Sequence, residues 1–193
     1  MARPRSFDEN AILDAAMGAF WAKGYAATSM ADLYAATRLK AGSVYGAFGS
    51  KDELFRQAFE RYAGHFRASL PTDATGRAAI AAWLDTQVRL ATADPKRRGC
   101  LIVNSALERE LHPPETLALV QARLAEIRAF FALHLATARA RAEIAAGIDT
   151  EAAADGLVAS VIGIMTLARA GAADTAIANV AKAAMAGLQP SAA

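Results

Sequence analysis

The chain has 193 residues, of which 54% are apolar and 21% charged, and its formal net charge is +2. That composition supports a buried core and excludes both intrinsic disorder and a bulk polycation, so binding to an acidic polymer must rest on local placement of charge. The single cysteine excludes an internal disulfide framework and any multi-cysteine zinc site, and no metal or other cofactor is expected.

Alanine dominates and β-branched runs are scarce, which predicts an all-α chain of about nine helices. Three helix starts carry a hydroxyl followed three residues later by an acid: Ser6-x-x-Glu9, Ser29-x-x-Asp32 and Ser50-x-x-Glu53. After the first, Ile12, Leu13, Ala16 and Phe20 recur on one helix face, and Gly24 ends that helix. A second helix runs from Ser29 to about Thr37 with Met30, Leu33 and Tyr34 inward. Arg38-Leu39-Lys40 then makes a polar turn with one apolar pin. A third, short helix spans about Ala41 to Phe48. The fourth starts at Ser50 and carries Leu54, Phe55, Ala58, Phe59, Tyr62 and Phe66 down one side. The breaker cluster Leu70 to Gly76 precedes a fifth helix around Trp83 to Leu90, stopped by Asp94-Pro95 and the basic turn Lys96-Arg97-Arg98-Gly99. Cys100 to Glu110 makes a sixth. Pro113-Pro114 opens a long seventh reaching about Ala146, Thr150 caps an eighth to about Ala170, and a ninth follows Asp174. The polar N-terminus, Met1 to Glu9, lacks the apolar stretch of a signal peptide, and the longest strongly apolar run, residues 156–168, is too short to span a bilayer. Both predict a cytoplasmic chain with no membrane partner.

Two short helices joined by a tight turn, the second about two turns long, have the form of a helix-turn-helix. Such a unit sets the leading part of its second helix against base edges in the major groove. Here that part is Lys40-Ala41-Gly42-Ser43. Lys40 can reach a phosphate or a guanine edge, and Ser43 can donate or accept. Glycine costs about 1 kcal/mol relative to alanine inside a helix. Gly42 and Gly46 in one short helix of an alanine-rich chain therefore suggest a steric reason for glycine, with an irregular loop as the plain alternative.

Arg3-Pro4-Arg5, Phe20-x-x-x-Gly24-Tyr25-x-x-Thr28-Ser29, Asp32-Leu33-x-x-Ala36-Thr37 and Gly42-Ser43-Val44-Tyr45-x-x-Phe48-Gly49-Ser50-Lys51-x-x-Leu54-Phe55 resemble the DNA-binding domain of the TetR family of bacterial transcriptional regulators. The likeness covers roughly the first 55–60 residues. A weaker likeness to the family's regulatory domain lies at Glu143 to Asp149 and the Gly/Ala-rich helix after it. The resemblance implies a DNA-binding domain over residues 1–50 and an effector-binding and dimerisation domain over 51–193. It implies a homodimer paired through the last two helices, a double-stranded DNA operator, and release by a small-molecule effector. It also implies DNA contacts from Thr28, Lys40, Gly42, Ser43, Tyr45 and Lys51, with Tyr45 and Lys51 on phosphates and Arg3 and Arg5 as an arm. Ala41 and Gly46 stand where larger polar or basic residues are common in the family, which removes two possible contacts.

Trp83, Asn104, Phe130, Phe131, His134 and Met165 are candidates to line an apolar effector cavity, although each is equally an ordinary core residue. The basic turn and helix start beside Cys100 both lower a thiol pKa, the pattern of a redox or electrophile sensor. A small buried apolar residue is the plain alternative. Glu108 and His112 have a spacing that can hold a metal, but no second His or Cys lies nearby, and a solvated helix end is the simpler reading. After Thr150, small residues such as Gly156, Ala159, Gly163 and Ala181 alternate with large ones, which permits close helix pairing in a two-fold dimer. No nucleophile motif, phosphate loop or paired catalytic carboxylates point to an enzyme. A ligand-responsive repressor is the reading that results. Its rivals are a general DNA-compacting protein and a helical small-molecule binder with a vestigial DNA head.

Overall fold

The computed structural model describes residues 8–189, which form nine α-helices, one short 3-10 turn and no strand. The helices are α1 (Glu9–Lys23), α2 (Met30–Thr37), α3 (Ala41–Phe48), α4 (Lys51–Ala68), α5 (Gly76–Ala93), α6 (Leu101–Leu107), α7 (Pro114–Ala140), α8 (Thr150–Arg169) and α9 (Asp174–Ala186). The 3-10 turn, Arg109–Leu111, joins α6 to α7.

Helix ends follow local chemistry. Ser29 and Asp32 form a reciprocal capping box at the start of α2. The Ser50 hydroxyl accepts from Glu53 N at 3.1 Å at the start of α4, while the Glu53 carboxylate turns to Gln57 and Arg56. The expected start at Ser6 lies outside the described residues; Asp8 caps α1 instead, accepting from the backbone of Asn10 and Ala11. At α8 the cap is Asp149, not Thr150, because a carboxylate one residue earlier takes the free N–H groups of Glu151 and Ala152. The sixth helix is shorter than expected, since the backbone after Leu107 tightens into the 3-10 turn. The seventh stops near Ala140 rather than Ala146. Ala142 enters the left-handed region at φ 55° and Glu143 N reaches back to Ala138 O, a C-terminal cap without glycine.

One core runs through the molecule. Phe20, Leu33, Val44, Phe48, Leu54 and Phe55 bury the first three helices against α4, and the same core continues through Phe59, Trp83 and Phe131 into the body. Helix α4 is thus shared. Arg61 on α4 ion-pairs with Asp14 on α1, and its second nitrogen donates to Asn10 at 3.0 Å. Helices α7, α8 and α9 pack in sequence, and Arg128 on α7 holds Asp155 and Glu151 of α8 at 2.6 Å each.

Helix α8 corrects one expectation. It is 20 residues long with a mean hydropathy of 1.5 over its most apolar window, so by length and composition alone it is long and apolar enough to cross a membrane. The run 156–168 is shorter than the helix because the helix gains a further stretch from the alanines after its Asp149 cap. Only 33% of that window is buried within this one chain.

Candidate nucleic-acid interface

The turn between α2 and α3 is set by Arg38, which adopts the left-handed conformation at φ 58°, while Leu39 packs against the core. Helix α3 is anchored by Val44 and Phe48, both buried. The opposite face, comprising Lys40, Ala41, Gly42, Ser43 and Tyr45, is exposed at the head's outer surface. This is the geometry a recognition helix needs, with its leading tip free and its trailing end locked. Lys40 is the N-cap residue and is exposed; its ammonium has no acceptor for a helix N–H, so this helix start carries no side-chain cap bond. Tyr45 is 51% exposed beside Tyr34 of α2, and burial together with Tyr45 raises the Tyr34 pKa. Tyr34 was not a sequence candidate; its inward expectation holds only in part, because the ring is half-buried.

Gly42 and Gly46 answer the steric question differently from the sequence argument. A Cβ at either would meet nothing within 4 Å. The folded chain itself does not require glycine there, so any steric demand comes from outside the molecule.

Two sequence candidates have other duties. Thr28 is fully buried, and its hydroxyl donates to Gly24 O at 2.6 Å. Its side chain closes the α1–α2 turn and does not face solvent. Lys51 is half-buried with its ammonium 4.4 Å from the centre of the Tyr25 ring, and burial lowers its pKa. It remains at the start of α4, beside the recognition helix. Arg3 and Arg5 lie outside the described residues.

Below the head lies a clamp that the sequence did not reveal. Gly24 turns at φ 86°, and the Glu108 carboxylate presses so closely on it that a Cβ there would collide. That carboxylate accepts from Tyr25 N at 2.8 Å. The Tyr25 hydroxyl donates to Asp52, and its ring lies 4.7 Å from His112 and 5.0 Å from Phe55. Glu108 therefore serves the head's backbone. His112 is buried with neither ring nitrogen hydrogen-bonded, its Nε2 3.9 Å from Glu108.

Residues 12–58 match the family described as bacterial regulatory proteins, tetR family, and residues 76–184 match the tetracyclin repressor-like C-terminal domain. The chain is 31% identical over 175 residues to the HTH-type transcriptional repressor ComR of Escherichia coli (strain K12), covering 88% of this chain and 83% of that protein. The chain belongs to the TetR family. Among solved structures, it is similar to the TetR family regulator CifR, a cysteine mutant of which is complexed with 26bp double-strand operator DNA (31% identity, TM-score 0.82, 95% of this chain and 98% of that one). It is also similar to a TetR regulator from Chloroflexus aurantiacus J-10-FL (29% identity, TM-score 0.81, 91% and 90% covered). The chain is a transcriptional regulator of this family, with the helix-turn-helix at its N-terminal end.

Beneath the head, α1, α4, α5 and α8 do not close completely on one another. A cavity of about 430 Å³ opens there, lined by Trp21, Tyr62, Phe66, Gln87, Cys100 and Met165 among others. Only Met165 of the sequence candidates for an effector lines it. Trp83 and Phe131 are fully buried behind it, packed edge-to-face and at tilted angles with Phe66 and Phe130 as core. Asn104 is committed to Arg98 O at 2.9 Å, and His134 sits edge-on to Phe130 with burial lowering its pKa. Periodicity marked these residues as inward, but it does not say which inward faces leave a gap. Cys100 does line the cavity, yet burial raises its thiol pKa, opposite to the expected effect of the basic turn. The basic turn does not offset that burial: Arg98 lies over the Trp21 ring at 3.7 Å and pairs with Asp94 at 2.9 Å.

Proposed function

We propose that the protein is a ligand-responsive repressor that binds a near-palindromic duplex site as a homodimer and leaves it when a small molecule fills the cavity. The reading divides the chain into a head at residues 1–50 and a regulatory body at 51–193. It places the protein in the cytoplasm, with no catalytic step. The observation that carries it is the make-up of the cavity wall. Trp21 belongs to α1 and Tyr62 and Phe66 to α4, the two helices that hold the recognition unit. A ligand that prefers a wider cavity displaces those helices, and a coupling of about 1–3 kcal/mol between the two sites suffices for regulation. Lys40, Ala41, Gly42 and Ser43 read base edges, with the Ala41 methyl suited to an apolar contact. Tyr45, Lys51 and the arm residues Arg3 and Arg5 hold the backbone. Pairing uses α8 and α9, whose outer faces carry Gly156, Ala159, Ala176 and Ala183 exposed.

Footprinting on the DNA beside the protein's own coding region, with and without a panel of small aromatic and lipid-like compounds, tests this reading. The expected result is a symmetric protected site that one compound class abolishes. Sequence-independent coating would turn the reading to DNA compaction. Absence of any DNA shift at low salt would turn it to a small-molecule binder with a vestigial head.

A further inference from the structure

Gln87 on α5 lines the cavity and is 5% exposed. Its two amide atoms differ. Nε2 is sealed inside the protein, whereas the carbonyl Oε1 is not, and among the described residues neither has a hydrogen-bond partner. Oε1 is therefore an open acceptor on the cavity wall that the chain leaves without a donor. The neighbouring donors are spent elsewhere. The Trp21 indole N–H donates to Gly99 O at 3.0 Å. The Ser69 hydroxyl donates to Phe66 O at 2.6 Å and accepts from Trp83 at 3.3 Å. An amide oxygen facing a confined space gains from an incoming O–H or N–H, and meets a ligand lone pair unfavourably.

The remaining wall limits what that donor is attached to. Among the described residues, no Asp, Glu, Lys or Arg lines the cavity, and its one imidazole, His65, is exposed. Burial raises the pKa of both Tyr62 and Cys100, so each stays neutral at pH 7. A charged ligand would lose hydration with no counter-charge to replace it. Trp21, Tyr62 and Phe66 offer ring faces and edges, and the volume lies within the usual range for a small-molecule site.

We propose that the effector is an uncharged, ring-bearing molecule with a hydroxyl or N–H group, seated among Trp21, Tyr62 and Phe66 and donating a hydrogen bond to Gln87 Oε1. Gln87 is then the residue that sets specificity, because a pocket built to hydrogen-bond a group discriminates against the analogue that lacks it. The inference rests on the ligand-responsive reading for its biological meaning, but the binding chemistry is tested apart from DNA.

Equilibrium dialysis of the full-length protein at pH 7 gives the direct test. The probes are 2-naphthol, 2-methylnaphthalene, which replaces the hydroxyl by a methyl group, and 2-methoxynaphthalene, which keeps the oxygen and loses the donor. Two ions, 2-naphthoate and protonated 2-naphthylmethylamine, complete the set. The naphthol is expected to bind about tenfold more tightly than the methyl and methoxy compounds, and both ions more weakly than the naphthol. Gln87→Met, which is similar in length and has no amide, should erase the preference for the naphthol and leave 2-methylnaphthalene binding unchanged. A methyl or methoxy compound that matches the naphthol on the wild type, a preference that survives Gln87→Met, or tighter binding of either ion would each overturn the proposal. The wild-type comparison decides by itself if the variant does not fold. Operator affinity measured in parallel separates the two readings. A naphthol that binds through Gln87 without changing operator affinity supports this chemistry and counts against the ligand-responsive function. Operator release by 2-naphthoate with no naphthol preference does the reverse.

Discussion

Single residues divide sharply here into those that serve the fold and those with nothing to do inside it. Gly42 is of the second kind. Alanine at that position meets no neighbour within 4 Å and gains helix propensity of up to about 1 kcal/mol. We expect Gly42→Ala to raise stability in chemical denaturation while weakening operator binding in fluorescence anisotropy. Unchanged affinity would mean that the backbone there does not approach DNA closely. Thr28 is of the first kind, since a hydroxyl donated to Gly24 O leaves no bond for a phosphate. His112 is also structural. Burial holds its imidazole below the ordinary value of 6.5, against the opposing pull of Glu108 and Asp52. The unfolded chain therefore binds that proton more readily, so stability is unaffected above the ordinary value and falls as pH drops below it. His134 acts in the same direction, its pKa also lowered by burial. His112→Phe should accordingly flatten the decline of melting temperature between about pH 7 and about pH 5, with the His134 share remaining. An unchanged slope would show that His112 is not held neutral.

At the scale of elements, local chemistry made the head legible before any coordinates. Ser29 with Asp32 and Ser50 with Glu53 announced two helix starts. Those signals depend on neighbours within one helical turn. What was not legible depends on distant partners. The end of α7 is set by a left-handed alanine, a conformation no sequence signal marks. The Glu143 carboxylate accepts from Arg77 N at 2.8 Å and so caps α5, a bond spanning 66 positions. The cavity was missed for the same reason. Its wall draws on α1, α4, α5, the α6 start and α8.

For the whole molecule, the decisive quantity is apolar surface that one chain does not cover. Helix α8 leaves two-thirds of its most apolar window unburied, and its outer stripe of Gly156 and Ala159 is flat enough for a second helix pair to approach closely. On the proposed pairing through α8 and α9, Ala159→Glu is expected to convert a dimer to a monomer in sedimentation, because a carboxylate at a two-fold face would be met by its own copy. The head should remain folded, while operator affinity falls about a hundredfold or more as the second contact is lost. A dimeric variant with full affinity would place the pairing surface elsewhere.

The Glu108 clamp also bears on how the protein is born. Ribosomes extend a chain at about 5–20 residues each second, and the 83 positions between Tyr25 and Glu108 then take roughly 4–17 s to make. During that interval the leading helices emerge and can pack, but the carboxylate that holds their turn does not yet exist. A nascent head is therefore looser than a finished one, and the turn at Gly24 gains its clamp only when the middle of the protein arrives.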